Sequence, residues 1–222
     1  AHADAVNAGF AAISARYLDE VMRLSPISAT QIGDHRFDAE VDDLSEAGRQ
    51  AGLDFNRRYL AELDAIDADQ LSREHQVDAL ILRNTLEYGI WDTGTLQSWA
   101  WDPQLYSGLA GGAIYNLMAR EFAPMPERLQ SAVARMEKIP TILAQARENL
   151  DPARVPPTHA RTVAAQNKGV LALIETFITP NADQSTVSKM VYGALSDSRL
   201  AYRPRPGDQA LSEDIFRRYL EA

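Results

Sequence analysis

WAWDPQLYSGLAGGAIYNLMAREFAP, residues 99–124, is the stretch on which the reading of the fold turns. No charge falls between Asp102 and Arg120, in a chain where 24% of residues are charged, and Trp99, Trp101, Tyr106, Tyr115 and Phe122 are spread along it. Such a segment belongs inside a protein. A bilayer span needs about 20 predominantly apolar residues, and Pro103, Gln104, Ser107, Gly108, Gly111, Gly112 and Asn116 interrupt this one. The composition therefore predicts a buried helix over 109–120. The Gly111-Gly112 pair is expected to let a neighbouring backbone come close, at about 1 kcal/mol per glycine relative to alanine. Aromatic side chains bury roughly 150–250 Å² each, so this stretch is expected to be the densest part of the core.

Outward from it, apolar residues recur at helical spacing. Phe10, Ile13, Tyr17, Val21 and Leu24 form one stripe on a helix of about 20 residues, stopped by Ser25-Pro26. Residues 25–45 read as a polar loop with turns at Gly33 and in the Asp-rich end. Ser45 caps a helix with Leu53, Tyr59, Leu60, Leu63 and Ile66 on its apolar side, and Ser72 caps another whose stripe is Val77, Leu80, Ile81, Asn84, Tyr88 and Trp91. Beyond the central stretch, Leu129, Val133, Met136 and Ile139 share a face, and Pro140 either kinks that helix or opens a new one. Pro157 starts a helix through Val163, Val170, Leu173 and Phe177. A further helix is expected over 183–202, followed by a stiff Arg203–Gly207 linker and a Ser212-capped helix bearing Ile215, Phe216, Tyr219 and Leu220. No alternating β-branched run appears, and no fixed-period repeat. The expectation is all-α: an irregular domain of eight or nine helices over 1–202, then a linker and the start of a helix over 203–222 that continues into a missing half.

A net charge of −9 argues against nucleic acid, which needs a basic stripe, and against an anionic membrane surface. With no cysteine there is no disulfide, thiolate zinc site or cysteine nucleophile. The chain opens on AHADAV, a small-residue neighbourhood that fits signal cleavage as well as a chosen boundary. The four histidines, His2, His35, His75 and His159, include no His-Glu-x-x-His pair and read as surface or core residues. Asp38, Glu40 and Asp42 occupy positions one, three and five of an EF-hand pattern. That pattern fails at Asp43 and Arg49, where glycine and glutamate are required, so the acids read as solvated charge. There is no serine elbow and no phosphate loop.

Three pieces carry a resemblance. They are Leu24-Ser25-Pro26 through Ala29-Thr30 to Gly33-Asp34-His35, then Trp99 to Leu129 leading into Arg135-Met136-Glu137-Lys138-Ile139-Pro140, and the closing run from Ala210 to Leu220. In that order they resemble the N-terminal part of the bacterial family known as domain of unknown function 885. Its members look like exported or lipid-anchored zinc peptidases of the His-Glu-x-x-His kind. The resemblance implies that two histidines hold zinc and the glutamate activates water, in a half of the protein that this chain does not contain. No catalytic, cofactor-binding or metal-ligating residue is therefore assigned here, and zinc is expected only in the full-length parent. The chain is then a helical wall or cap of the peptidase cleft, inactive alone and partnered by the rest of its own polypeptide and by peptides. Asp34, His35, Arg36, Tyr106 and Tyr115 are the candidate cleft-facing residues. An exported location fits the resemblance, with the cytoplasm left open. The alternative is a self-contained helical module that binds a ligand or another protein through the aromatic stretch or the terminal apolar face.

Overall fold

The computed structural model of the chain describes residues 2–178. Among them there is no strand, and the helices are α1 (His2–Leu24), α2 (Pro26–Ile32), α3 (Glu46–Asp64), α4 (Arg73–Trp91), α5 (Ser98–Trp101), α6 (Pro103–Met118), α7 (Met125–Asn149) and α8 (Pro157–Leu173). The all-α expectation holds. The helix expected over 183–202, the Arg203–Gly207 linker and the Ser212 helix lie outside the described residues. Where the sequence reads one domain over 1–202, the described residues group into two compact units, 2–24 with 43–98 and 25–42 with 99–178.

The first unit contains α1, α3 and α4. Its core is Phe10, Phe55, Tyr59, Leu63, Leu71, Ala79, Leu82 and Leu86, with Val6, Ile13, Tyr17 and Val21 packed against it, so the α1 stripe is where the periodicity puts it except at its last member, the exposed Leu24. Tyr17 meets Tyr59 edge-on at 5.4 Å and Phe55 at 5.6 Å, geometries that add to simple area burial. Ser45 accepts from the Gly48 amide and Ser72 from the His75 amide, as expected of N-caps worth about 1 kcal/mol each. Helix α4 departs from its reading. The expected stripe is the exposed one, from 41% at Val77 to 64% at Leu80, with Ile81, Tyr88 and Trp91 between. The buried stripe is Ala79, Leu82 and Leu86, continued by the half-buried Gly89, where a Cβ would stand 2.4 Å from Asn56 Nδ2 of α3. Both faces of α4 are apolar enough to bury. The one that carries alanine and glycine lets α3 approach.

The second unit is organised around α6. It begins at Pro103 rather than Leu109, because Asp102 accepts from the Gln104 amide and proline fits the first helical position. Ala110, Ala113, Ile114, Leu117 and Met118 are buried, the last three in a core with Leu129, Ala132, Met136, Ile174 and Ile178. That core is mainly aliphatic. Of the five aromatics expected to fill it only Tyr106 is fully buried; Trp99, Trp101 and Phe122 are partly covered and Tyr115 is half exposed. Nor, among the described residues, does a backbone approach the glycine pair. A Cβ on Gly111 would meet Val170 Cγ2 at 3.4 Å, and one on Gly112 would meet Ile27 Cγ2 at 3.5 Å, ordinary contacts with side-chain methyls. Gly112→Ala should accordingly stabilise the unit by up to about 1 kcal/mol, the helix-propensity gain. A lower urea midpoint in that variant would show a closer neighbour than Ile27.

One further element differs from the sequence reading, and a second is narrowed. Pro26 takes the first position of α2, so part of the expected loop is a two-turn helix closed by Gly33 in the left-handed region at φ 97°. Of the two alternatives at Pro140, the opening of a new helix is excluded: α7 runs through it. At the start of α7 the buried Arg128 donates to the carbonyls of Leu117 and Met118, which the end of α6 leaves open, and to those of Arg120 and Ala123 in the connection between the two helices.

Candidate functional site

The candidate site is the turn after α2. Gly33 and Asp34 return their amides to the carbonyls of Thr30 and Ala29, and the chain then enters the short helical turn His35–Phe37. Asp34 caps this turn through the Arg36 amide and grips the Arg36 side chain as well, with Nε at 2.9 Å and Nη2 at 2.7 Å. The Arg36 hydrogen bond, ahead of the opposing effect of burial, holds the Asp34 carboxyl down at about 2. A depressed carboxylate adds stability above its ordinary value near 4, and that contribution is lost as pH falls through the folded value. The Asp34 carboxyl carbon should therefore titrate by NMR with a midpoint near 2, moving up toward about 4 in Arg36→Gln. An unmoved midpoint in the variant would remove Arg36 as the cause.

His35 is built in from two sides. Its Nδ1 lies 2.9 Å from Asp38 Oδ2, and its ring stacks on Phe122 with centroids 3.6 Å apart and planes 12° from parallel. Asp38 is buried, and its other oxygen accepts from Thr30 Oγ1 at 2.6 Å. That bond takes the single hydroxyl proton in preference to the Pro26 carbonyl at 3.2 Å. Thr30 Oγ1 in turn accepts from Arg135 Nη2 at 2.7 Å. Arg135, on α7, has no measurable exposure. Besides Thr30, its guanidinium donates to the carbonyls of Glu40 (2.8 Å), Ala113 (3.1 Å), Pro26 (3.0 Å) and Phe37 (3.3 Å). Burial pushes its pKa down from the usual arginine value, while Asp38, Asp42 and Glu40 push it up. Burial likewise raises the Asp42 carboxyl, opposed by the Ile27 amide and by the charge of Arg135. Lys138, one turn on, donates to the Ala39 carbonyl and Glu40. Asn116 of α6 holds the Ile27 carbonyl, and Arg120, just past the end of α6, holds the Gln31 carbonyl.

The consequence is a fixed imidazole. With Asp38 accepting from Nδ1–H, the neutral ring presents Nε2 as base or ligand, and the side chain is 32% exposed. Of the sequence candidates, Asp34, His35 and Arg36 share this turn. Tyr106 is taken out of the set: it is 1% exposed and its hydroxyl is spent on the Trp99 carbonyl at 2.5 Å. Tyr115, half exposed on α6, remains. The other two imidazoles with described surroundings are also tied at Nδ1, His75 to Asn7 and His159 to Asp102, the first in the other unit. Thr30, Asp38, Phe122 and Arg135 are not among the site candidates read from sequence, and Asp38, expected to be solvated charge, is buried instead because Thr30 and His35 take its two oxygens. Arg135 had one signal, its place within the Arg135–Pro140 run that carries the family resemblance. Among the described residues no three His, Cys, Asp or Glu side chains converge as metal ligands, so His35 and Asp38 do not by themselves make a zinc site.

The sequence matches, over residues 26–212, the profile of the family described as "Bacterial protein of unknown function (DUF885)", and the chain belongs to that family. Among solved structures it is similar to one from Shewanella oneidensis, described as "a putative lipoprotein of unknown function", with 28% identity and a TM-score of 0.70. The match covers 96% of this chain and 34% of that one, so this chain spans about a third of its length. No curated protein matches. Among the described residues no helix is long and apolar enough to cross a membrane.

Proposed function

We propose, starting from that family membership, that the chain is the helical wall or cap of the cleft of a zinc-dependent peptidase, inactive alone. The observation that carries this reading is the His35 turn. A part-exposed imidazole, fixed at Nδ1 by a buried carboxylate and anchored through Thr30 to a fully buried arginine, is the kind of rigid placement a substrate-facing group needs. Arg36 and Tyr115 supply charge and an aromatic surface for a peptide. The zinc and its ligands would come from the remainder of a longer polypeptide; the related structure, about three times as long as the matched region, leaves room for one. Zinc would polarise the scissile carbonyl and its bound water there. Export, with a lipid anchor, is the matching location, by similarity to a protein described as a lipoprotein.

The test uses the parent polypeptide. Zinc-dependent hydrolysis of a mixed peptide library is expected from it and not from the 222-residue chain. His35→Ala in the parent should lower kcat/KM by roughly tenfold or more with the zinc content unchanged. Chelator-sensitive turnover by the 222-residue chain would refute inactivity alone, and an unchanged kcat/KM would take His35 out of the cleft.

A further inference from the structure

The exposed face of α4 is the feature that the His35 turn leaves unexplained. Val77, Leu80, Ile81, Tyr88 and Trp91 lie on one side of one helix, all more than two-fifths exposed, and they make up half of the large exposed hydrophobics among the described residues. From Val77 to Trp91 the face is roughly 21 Å long at the helical rise of 1.5 Å per residue. Tyr88 and Trp91 lean together, with ring centroids 6.0 Å apart, and extend it sideways. Singly scattered apolar residues are normal on a surface, but a contiguous stripe of this size marks a surface meant to be covered.

Charge says what covers it. On the helical wheel Glu74, Asp78 and Asp92 border one edge of the stripe, Glu87 lies on the other paired with Arg83, Arg73 stands at the N-terminal end, and the unit as a whole carries seven arginines, no lysine and fourteen carboxylates. A second copy fits badly: the antiparallel register that sets Val77 against Trp91 also sets the Glu74 of one helix beside the Asp92 of the other. A helix with an apolar stripe and basic borders fits well. Just past Trp91 the helix widens into a π turn over Asp92–Leu96, closed by Gln97 in the left-handed region at φ 54°. There Asp92 keeps one oxygen on Ser98, while the other is buried with no hydrogen-bond partner. π turns of this kind recur at functional sites, and a buried carboxylate oxygen without a donor calls for an explanation.

We infer that this face seats an amphipathic, basic-bordered helix from the part of the parent polypeptide that lies outside residues 1–222. The inference rests on the reading of the chain as one part of a longer protein, and the related structure, of which the chain covers 34%, gives that occupant its length.

The chain has no cysteine, so a single thiol is a clean reporter. Leu80→Cys on the face, and Ala47→Cys at an exposed position in the first turn of α3, would be introduced into the 222-residue chain and into the parent. Their maleimide reaction rates would be read peptide by peptide by mass spectrometry. In the short chain the two thiols should react at similar rates. In the parent Leu80→Cys should react at least tenfold more slowly than Ala47→Cys. Equal rates in the parent would overturn the inference. So would protection in the short chain together with a doubled solution mass, which would assign the face to a second copy, and so would a reading frame confined to residues 1–222. Zinc-dependent hydrolysis by the unlabelled parent is a separate readout. A parent that shields Leu80 but hydrolyses nothing refutes the peptidase reading and leaves the docking face in place.

Discussion

Arg135→Ala is expected to destabilise the unit of residues 25–42 and 99–178 by about 3–5 kcal/mol, the range seen when one side of a buried charged network is removed. The size follows from who its partners are. Four of the five groups on its guanidinium are backbone carbonyls, of Pro26, Phe37, Glu40 and Ala113, and no substitution elsewhere can take those acceptors away. A buried carbonyl without a donor costs its full desolvation, and here several lose theirs at once. Arg135→Met should therefore fare little better than alanine, although it fills most of the volume. Arg135→Lys should fall between, since an ammonium offers three donors from one point where the guanidinium offers five in a planar fork. The carboxylate of Asp38, bonded through Thr30 to the same guanidinium, loses its buried counter-charge too. Urea denaturation gives the stability, and the His35 ring shifts by NMR report whether the imidazole is released from Asp38 and Phe122. A loss below about 1 kcal/mol for the alanine variant would mean that water replaces the guanidinium and that the turn holds itself.

What the sequence reveals, and what it hides, divides along the same physical line. Stripes of large apolar residues are legible because burial is the dominant favourable term in folding and tracks side-chain area; α1 shows this, as do the Ser45 and Ser72 caps, whose hydroxyl-to-amide geometry is local. Arg135 is hidden because hydropathy counts it as surface. On α7 the buried positions include Arg128, Ala132, Arg135, Ile142 and Ala146, a face of arginines and small residues beside a face of leucine, valine and isoleucine. Nothing in a single sequence says that arginine there will find carbonyls rather than water. Helix α2 is hidden for another reason: Pro26 reads equally as a stop for the helix before it and as a start for the one after. The His35 turn is legible only as Gly33 and its neighbours. Its chemistry depends on Thr30, Asp38, Phe122 and Arg135, which the fold brings together from across about 100 positions of sequence.

Leu86→Ala and Leu80→Ala together decide the phase of α4. Leu86 is completely buried in the core with Phe55, Tyr59 and Leu63, and its truncation should cost about 2–5 kcal/mol, from lost transfer free energy and from the cavity left behind. Leu80 is 64% exposed, and the same truncation there should change stability by less than about 0.5 kcal/mol. Sequence periodicity alone ranks the two the other way, because it places Leu80 on the inner stripe. The residues opposite explain why the structure inverts it. Ala79 and Gly89 sit on the Leu86 side, and at Gly89 the α3 side chain of Asn56 already occupies the space of a Cβ. Turning the helix to bury Leu80 would bring in Tyr88 and Trp91, too large for that approach, and would carry Glu87 toward the core and its partner Arg83 with it. Urea midpoints of the two variants in the 222-residue chain suffice. A cost at Leu80 that matches or exceeds the cost at Leu86 would put the expected stripe inside after all. The surface assigned to the docking helix would then be part of the core.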